Sequence, residues 1–279
     1  MPVHLGVPDA AYVQPLLYGA TPAFQVQTDV PANLARVVRE RIPPFHEAGC
    51  ALLSAIDYAR HGGDYRILPG VCVASSTRSG TIELFVKQDV RTIRTVAVDV
   101  RYTSEIVLSK IILAEKYSGL PGERHEVQFV PMMAELDAML GKADAALVVN
   151  PHPRSKTSSP LFSLDLVEEW NDLTNLPFVH GIWVGREESE RGLFLPQIAS
   201  LSRNGVQHLA DIAGQLARRY SLSPQEATEY LSPFTYTLGK EEEESLTEFI
   251  RYAYYHGILP DAADLNFFDL TFPSTPSLN

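Results

Sequence analysis

Apolar residues follow two rhythms along this chain. Short runs, either continuous or alternating, predict strands over residues 3–7, 24–28, 50–53, 65–68, 71–74, 96–100, 125–130, 144–149 and 178–184, with a further extended segment over 81–87. Between these runs the spacing becomes helical. Leu34, Val37, Val38 and Ile42 share one face of a helix opened by Asn33. Ile106, Val107, Ile111, Leu113 and Ala114 do the same in a helix that begins at Thr103. Residues 57–60, 135–140 and 167–173 supply shorter helices. Strands alternating with helices predict a largely parallel sheet covered on both faces.

From residue 188 the pattern is almost wholly helical, over 193–201, 206–220, 224–231 and 240–256. Ser223 followed by Pro224 forms a helix start, and Gly257 after His256 forms a stop. The last residues, from Asp269 on, are expected to be loosely held. Residues 150–160, rich in Pro and Ser, read as a loop beside a cleft. The extended stretches 81–87 and 178–186 are the natural crossovers between two lobes. The expected division is a discontinuous first lobe, 1–86 with 184–279, and a second lobe, 87–183, with a ligand cleft between them.

Composition narrows the ligand. The chain has 279 residues, enough for two modest α/β lobes, and 45% of them are apolar. A formal net charge of -11 argues against nucleic acid and anionic membranes, but not against a small anion held by local donors. No apolar run approaches a membrane span, and residues 1–19 lack a basic stretch followed by a long apolar one, so a cytoplasmic address is expected. Cys50 and Cys72 sit in apolar runs and read as buried structural thiols. Neither dimerisation nor its absence is legible, and a homodimer is allowed.

The best anion signal lies where a strand ends at Asp99 and Thr103 and Ser104 open a long helix. Free backbone N–H groups at such a start suit a carboxylate, and Arg101 lies just before it. The same pattern also describes an ordinary helix cap. A second signal is the hydroxyl-rich stretch 74–81, with Ser75, Ser76, Thr77, Arg78, Ser79 and Thr81 directly before the first crossover; a solvated turn would look the same. His180 reads as a satisfied core or hinge histidine, and His152 as a weak candidate in the polar loop. There is no Ser–His–Asp order, Walker loop, dinucleotide glycine fingerprint or metal-ligand spacing.

Several stretches resemble one family in order along the chain: PLLYG (15–19), ALLSAIDYARHGGDYRILPGVCVAS (51–75), TVAVDVRYTSEIVLSKIIL (95–113), LDAMLGKADAALVV (136–149), LDLVEEWNDLTNLPFVHGIWVGR (164–186) and YLSPFTYTLGKEEEESLTEF (230–249). These resemble the menaquinone-biosynthesis proteins of the futalosine route, chiefly chorismate dehydratase. The resemblance implies an α/β fold of the two-lobed periplasmic-binding-protein type II kind, with mostly parallel sheets flanked by helices and a helical C-terminal tail. It implies a hydro-lyase that converts chorismate to 3-[(1-carboxyvinyl)oxy]benzoate and water without a metal or redox cofactor. Thr103 and Ser104 match the family's Thr-Ser helix start. Tyr12 stands where the family has an asparagine, Ala55 where it has a serine, Thr81 where it has a serine before the crossover strand, and Asn150-Pro151 where it has Gly-Asp. The expected substrate contacts are therefore Thr103, Ser104, Thr81, Ser79 and Tyr12, with Tyr12 and Thr81 as catalytic candidates. Two alternatives stand beside this reading. One is the sister enzyme that makes 1,4-dihydroxy-6-naphthoate, with His152 as its base. The other is a non-catalytic binding module for a small carboxylated metabolite.

Overall fold

The computed structural model describes residues 3–43, 49–118, 126–154, 161–186 and 195–269. Its strands, in chain order, are β1 (Val3–Pro8), β2 (Phe24–Asp29), β3 (Gly49–Leu53), β4 (Tyr65–Ser75), β5 (Ile82–Val86), β6 (Thr95–Val98), β7 (Gln128–Pro131), β8 (Ala145–Val149), β9 (Phe162–Asp165), β10 (Phe178–Arg186) and β11 (Phe234–Thr235). They form two sheets. One has six strands in the order β11-β4-β10-β3-β1-β2, and the other has five in the order β7-β6-β8-β5-β9.

Each sheet is mixed, where the alternation of strands and helices predicts mostly parallel pairing. In the first sheet β1 pairs parallel with β2 and β3, whereas β10 runs antiparallel to both β3 and β4. In the second, β6 is parallel to β7 and β8, but β5 is antiparallel to β8 and β9. The antiparallel members enter where the chain passes from one sheet to the other, because a strand arriving from the other sheet is not bound by the right-handed crossover of a βαβ unit. The stretches expected as two strands, 65–68 and 71–74, are one long β4, with Gly70 at φ +78° on the way. The strand expected from His125 begins at Gln128; His125 itself, like the start of the helix expected from Leu193, lies outside the described residues.

Burial explains the composition of β10. It is flanked on both sides, so its run Phe-Val-His-Gly-Ile-Trp-Val is apolar almost without interruption. Ile182 and Val184 join the core shared with Trp170, Phe249 and Leu108, while Trp183 between them joins the opposite core with Leu5, Leu52 and Leu68. This is the two-residue alternation of a strand buried on both faces.

The helices cover the sheets: α1 (Pro31–Arg39), α2 (Ala55–Ala59), α3 (Thr103–Lys116), α4 (Leu136–Lys142), α5 (Leu166–Thr174), α6 (Leu195–Gln207), α7 (Leu209–Tyr220), α8 (Pro224–Leu231) and α9 (Lys240–Tyr255). The first begins at Pro31, where a missing N–H costs nothing, two residues before the expected Asn33. Ser223 and Glu226 form a capping box at α8, in keeping with the sequence. The tail helix α9 returns to the core that both sheets share. There Trp170 of α5 stands edge-on to Phe249, and its indole N–H donates to Ser245 Oγ, which donates in turn to the Pro177 carbonyl. No helix among the described residues is long and apolar enough to cross a membrane.

A short 3-10 turn, Ala11–Leu17, carries Tyr12, and α6 lies against it. The approach is possible only because residue 205 is glycine; a Cβ there would strike the Pro15 backbone. Gly205→Ala should therefore push this turn off α6 and destabilise the fold by about 1–3 kcal/mol. Urea unfolding of the two proteins measures this, and an unchanged midpoint would mean that the turn yields without cost.

Candidate active site

The second sheet delivers the chain to α3 through a tight ionic turn. Past β6, the buried Asp99 carboxylate takes the Arg101 backbone N–H at 3.0 Å and its guanidinium at 2.5–2.9 Å. The arginine holds Asp99 below the usual carboxylate range, despite its burial. The Tyr102 N–H then donates to the Asp99 carbonyl, and α3 begins.

Its first turn is not closed by a side chain. Ser54, Glu135, Asp165 and Ser223 cap α2, α4, α5 and α8, but Tyr102 at the head of α3 offers no cap, and the first amide bonded back into the helix is that of Ile106. The Ser104 hydroxyl lies in the same turn. It is buried, 4% exposed, and has no hydrogen-bond partner. An orphaned hydroxyl beside uncapped amides is costly unless an acceptor arrives. Thr103 is half-buried next to it.

Tyr12 approaches this turn from the first sheet. Its ring stacks on Phe234 at 5.1 Å and leans on His180 at 5.5 Å, while its carbonyl accepts from the Tyr236 hydroxyl. Burial, and then the nearby Glu105 and Tyr102, push its phenol far above the ordinary value, so it acts as a neutral hydroxyl. Tyr12, Arg101, Tyr102 and His152 line a cavity of about 220 Å³, together with Asp9 and Pro151. A neighbouring cavity of about 370 Å³ shares Asp9 and Ala10 with it and adds Gln14, Asp29 and Arg219. Backbone bonds close the molecule around them: Ala11 N–H donates to the Pro151 carbonyl at 2.8 Å, and Ala32 N–H to the Arg101 carbonyl at 3.3 Å. The Tyr230 hydroxyl donates to the same Pro151 carbonyl.

The other expected residues sit apart. Of the expected contacts only Tyr12 lines the 220 Å³ cavity: Thr103 and Ser104 follow the lining residue Tyr102 without lining it themselves, and the Ser79 and Thr81 hydroxyls pair with each other at 2.6 Å at the entrance to β5. That loop is pinned by Gly80 N–H on the Asp165 carboxylate and by Asn150 N–H on the Thr81 carbonyl. His180 bonds Ser75 Oγ through Nε2 at 2.7 Å among Tyr12, Phe178 and Phe234, and burial pushes its ring down to about 3, which keeps it neutral. His152 stacks on Tyr220, meets its hydroxyl at 3.0 Å and lies 3.7 Å from Asp9. Cys50 and Cys72 are buried free thiols, and burial pushes Cys50 up to about 12, far from a reactive thiolate.

Sequence reasoning missed Glu105. It is the third residue of α3 and is buried, and burial, with Asp57 adding to it, pushes its carboxyl from the ordinary 4.5 up to about 7. The available signal was a carboxylate embedded in an apolar helix face, Ser-Glu-Ile-Val-Leu.

Known proteins share both the pattern of residues and the fold. The profile of the family described as "Menaquinone biosynthesis" matches residues 3–255. The chain belongs to that family. Among its curated relatives is the chorismate dehydratase of Thermus thermophilus, 29% identical over 260 residues, which are 89% of this chain and 94% of that protein. Solved structures extend the likeness in fold alone. A protein from Archaeoglobus fulgidus superposes with a TM-score of 0.66 at 16% identity, over 92% of this chain and 98% of that one. The alkanesulfonate-binding protein of Xanthomonas axonopodis pv. citri, bound to MOPS, gives 0.59 at 15% identity, over 94% and 95%. A Candida albicans protein described as having the generic periplasmic binding protein structural fold gives 0.58 at 11% identity, over 95% and 92%. This member of the menaquinone-biosynthesis family thus has the periplasmic-binding-protein fold, with two mixed sheets and a C-terminal helix.

Burial of Glu105 makes stability depend on pH. Its folded value lies above the unfolded one, so the native state binds the extra proton between about pH 4.5 and 7 and loses stability as pH rises through that window. The loss is on the order of 3 kcal/mol once the carboxyl is ionised. Glu105→Gln should erase that part of the pH dependence and melt above the wild type at pH values over 7. Equal melting curves across pH would show that Glu105 is well solvated.

Proposed function

We propose that this protein dehydrates chorismate to 3-[(1-carboxyvinyl)oxy]benzoate, acting in the cytoplasm on the futalosine route to menaquinone. The observation that carries the reading is the uncapped first turn of α3, with its orphaned Ser104 hydroxyl, in a chain whose curated relative is a chorismate dehydratase. The division into lobes 1–86 with 184–279 and 87–183 belongs to the same proposal, with the substrate between them.

Chorismate carries two carboxylates, a cyclohexadiene ring and a ring hydroxyl. Loss of a ring proton and the hydroxyl makes the ring aromatic, so the driving force lies in the substrate and the reaction balances as water. The protein's task is to hold a dianion and orient the leaving hydroxyl. In this reading Thr103, Ser104 and the first-turn amides of α3 take one carboxylate. The neutral Tyr12 phenol walls the ring and faces the departing oxygen. The enolpyruvyl carboxylate of the substrate accepts the ring proton, the C–O bond breaks, and hydroxide leaves with that proton. Charge at the site favours this division of labour: the buried His180 is neutral and hydrogen-bonded to Ser75, and no strong base is required of the protein.

Mixing the purified protein with chorismate should remove the diene absorbance and yield a product lighter by one water. Binding without turnover would make it a binding module instead. Ser104→Ala should raise KM by roughly tenfold, the worth of one hydrogen bond to a charged group, with the fold intact because a buried hydroxyl without a partner is lost. An unchanged KM would remove the α3 turn from the site. An analogue lacking the enolpyruvyl carboxylate should bind and turn over very slowly; normal turnover would refute the substrate-borne base.

A further inference from the structure

The strand β10 is irregular at one residue. Its pairing with β4 sets Val179 opposite Ala74 and Gly181 opposite Val73, which leaves His180 as the extra residue of a bulge. A bulge bends the strand and re-aims the side chain it carries. The bend is tightly packed, since a Cβ on Gly181 would come within 2.9 Å of the Leu52 side chain. Although β3 and β4 flank this strand, His180 keeps open surface, while every other residue from Phe178 to Gly185 is buried. The rings of Phe178, Phe234 and Tyr12 stand 5.1–5.5 Å from its own. With protein packed around it in this way, the open surface faces a gap inside the molecule.

Ser75 decides which edge of the imidazole is free. Its hydroxyl is wholly buried, and its one side-chain hydrogen bond among the described residues is to Nε2 of His180 at 2.7 Å. A buried hydroxyl with a single neighbour places its hydrogen there. Oγ therefore donates, Nε2 accepts, and the ring proton sits on Nδ1. Among the described residues neither Nδ1 nor the Tyr12 hydroxyl has a partner, yet neither is shut away: the polar atoms buried without one belong to Tyr65, Ser104, Trp183 and Arg186. Both groups thus open onto space, and for Tyr12 that space is the 220 Å³ cavity.

We propose that His180 is a catalytic residue of this site: its Nδ1–H, beside Tyr12, donates a hydrogen bond to a ring hydroxyl of the ligand and holds that oxygen as it departs. This rests on the dehydratase reading for the departure, but not for the contact with the hydroxyl. The imidazole is kept neutral by burial, which suits it to an uncharged oxygen and not to a carboxylate. The ligand is then oriented by its two ends, its carboxylate toward α3 and its hydroxyl toward β10. No proton leaves His180. The C–O bond breaks with its electron pair on oxygen, and the ring proton carried by the substrate's own carboxylate completes the water. Nδ1–H stabilises the charge that gathers on the oxygen before that proton arrives.

The test sets the wild type against His180→Phe, which keeps a ring without nitrogens, and His180→Asn, whose amide restores a donor near Nδ1. With chorismate, His180→Phe should lower kcat about 100-fold and raise KM only about fivefold, the loss of one neutral hydrogen bond. His180→Asn should regain roughly tenfold of the lost kcat. A histidine that only fills space would leave kcat intact in both variants, and that result overturns the proposal. Calorimetric titration needs no turnover. The wild type should bind 4-hydroxybenzoate, with its hydroxyl across the ring from the carboxyl, about fivefold more tightly than benzoate. His180→Phe should bind the two alike, with its benzoate affinity unchanged. A preference for the hydroxyl that survives in His180→Phe counts against the contact. Should His180→Phe not fold, the imidazole 15N shifts of the wild type still decide, because a proton on Nε2 in place of Nδ1 overturns the proposal. A hydroxyl preference that depends on His180, without chorismate turnover, supports the contact and sinks only the dehydratase reading. Turnover that ignores both substitutions sinks only the role of His180.

Discussion

Backbone amides at the head of α3 need an acceptor that no side chain supplies. The helices α2, α4, α5 and α8 use a Ser, Asp or Glu for that need; Tyr102 supplies none, as Val30 and His208 supply none to α1 and α7, but at α3 Ser104 adds a buried hydroxyl with the same requirement. Donors without a partner in the chain are satisfied by water or by a ligand. The Asp99–Arg101 pair keeps that turn from relaxing, because it fixes the three residues that lead into it. The arginine is occupied in doing so, which leaves the attraction for an anion to dipoles rather than to a free cation.

The opposite wall of the cavity follows from packing. Tyr12 is held by stacking on Phe234 and by Tyr236 on its carbonyl, and its turn is held by α6 through the bare backbone of Gly205. Tyr12 on that wall and the residues that hold it come from opposite ends of the chain: Tyr12 from the first thirty residues, Phe234 and Tyr236 behind it from the last fifty. The strand β10 makes this possible. By entering antiparallel between β3 and β4 it returns the chain from the second sheet to the first, and the C-terminal helices then close over the first sheet. Hence an N-terminal tyrosine and the residues that lead into a mid-chain helix meet around one space, with C-terminal aromatics packed behind the tyrosine.

Legibility in the sequence varies by element. The helix from Thr103 was legible because its hydroxyls and apolar spacing are local features, and α8 because Ser223, Pro224 and Glu226 form a local code. The short β9 was missed, since Phe162–Asp165 alternates too briefly to rise above its polar surroundings. Sheet sense was misjudged because alternation of strand and helix says nothing about a strand that crosses between sheets. Glu105 was missed for a different reason. A glutamate in the first turn of a helix normally faces water, and only burial by segments distant in sequence, with Asp57 adding a like charge, turns it into a buried acid.

The amino-acid sequence by itself determined most of the strands and helices, the family to which the chain belongs, and the hydroxyl pair at the start of α3. These depend on residues within a few positions of one another. Only the tertiary structure decided that β10 joins the first sheet, that Tyr12 faces the α3 turn while Ser79 and Thr81 bond to each other, and that Glu105 is shut away from water. Those outcomes depend on which surfaces meet after long loops close, and burial, which sets the charge of every group at the site, exists only once they have met.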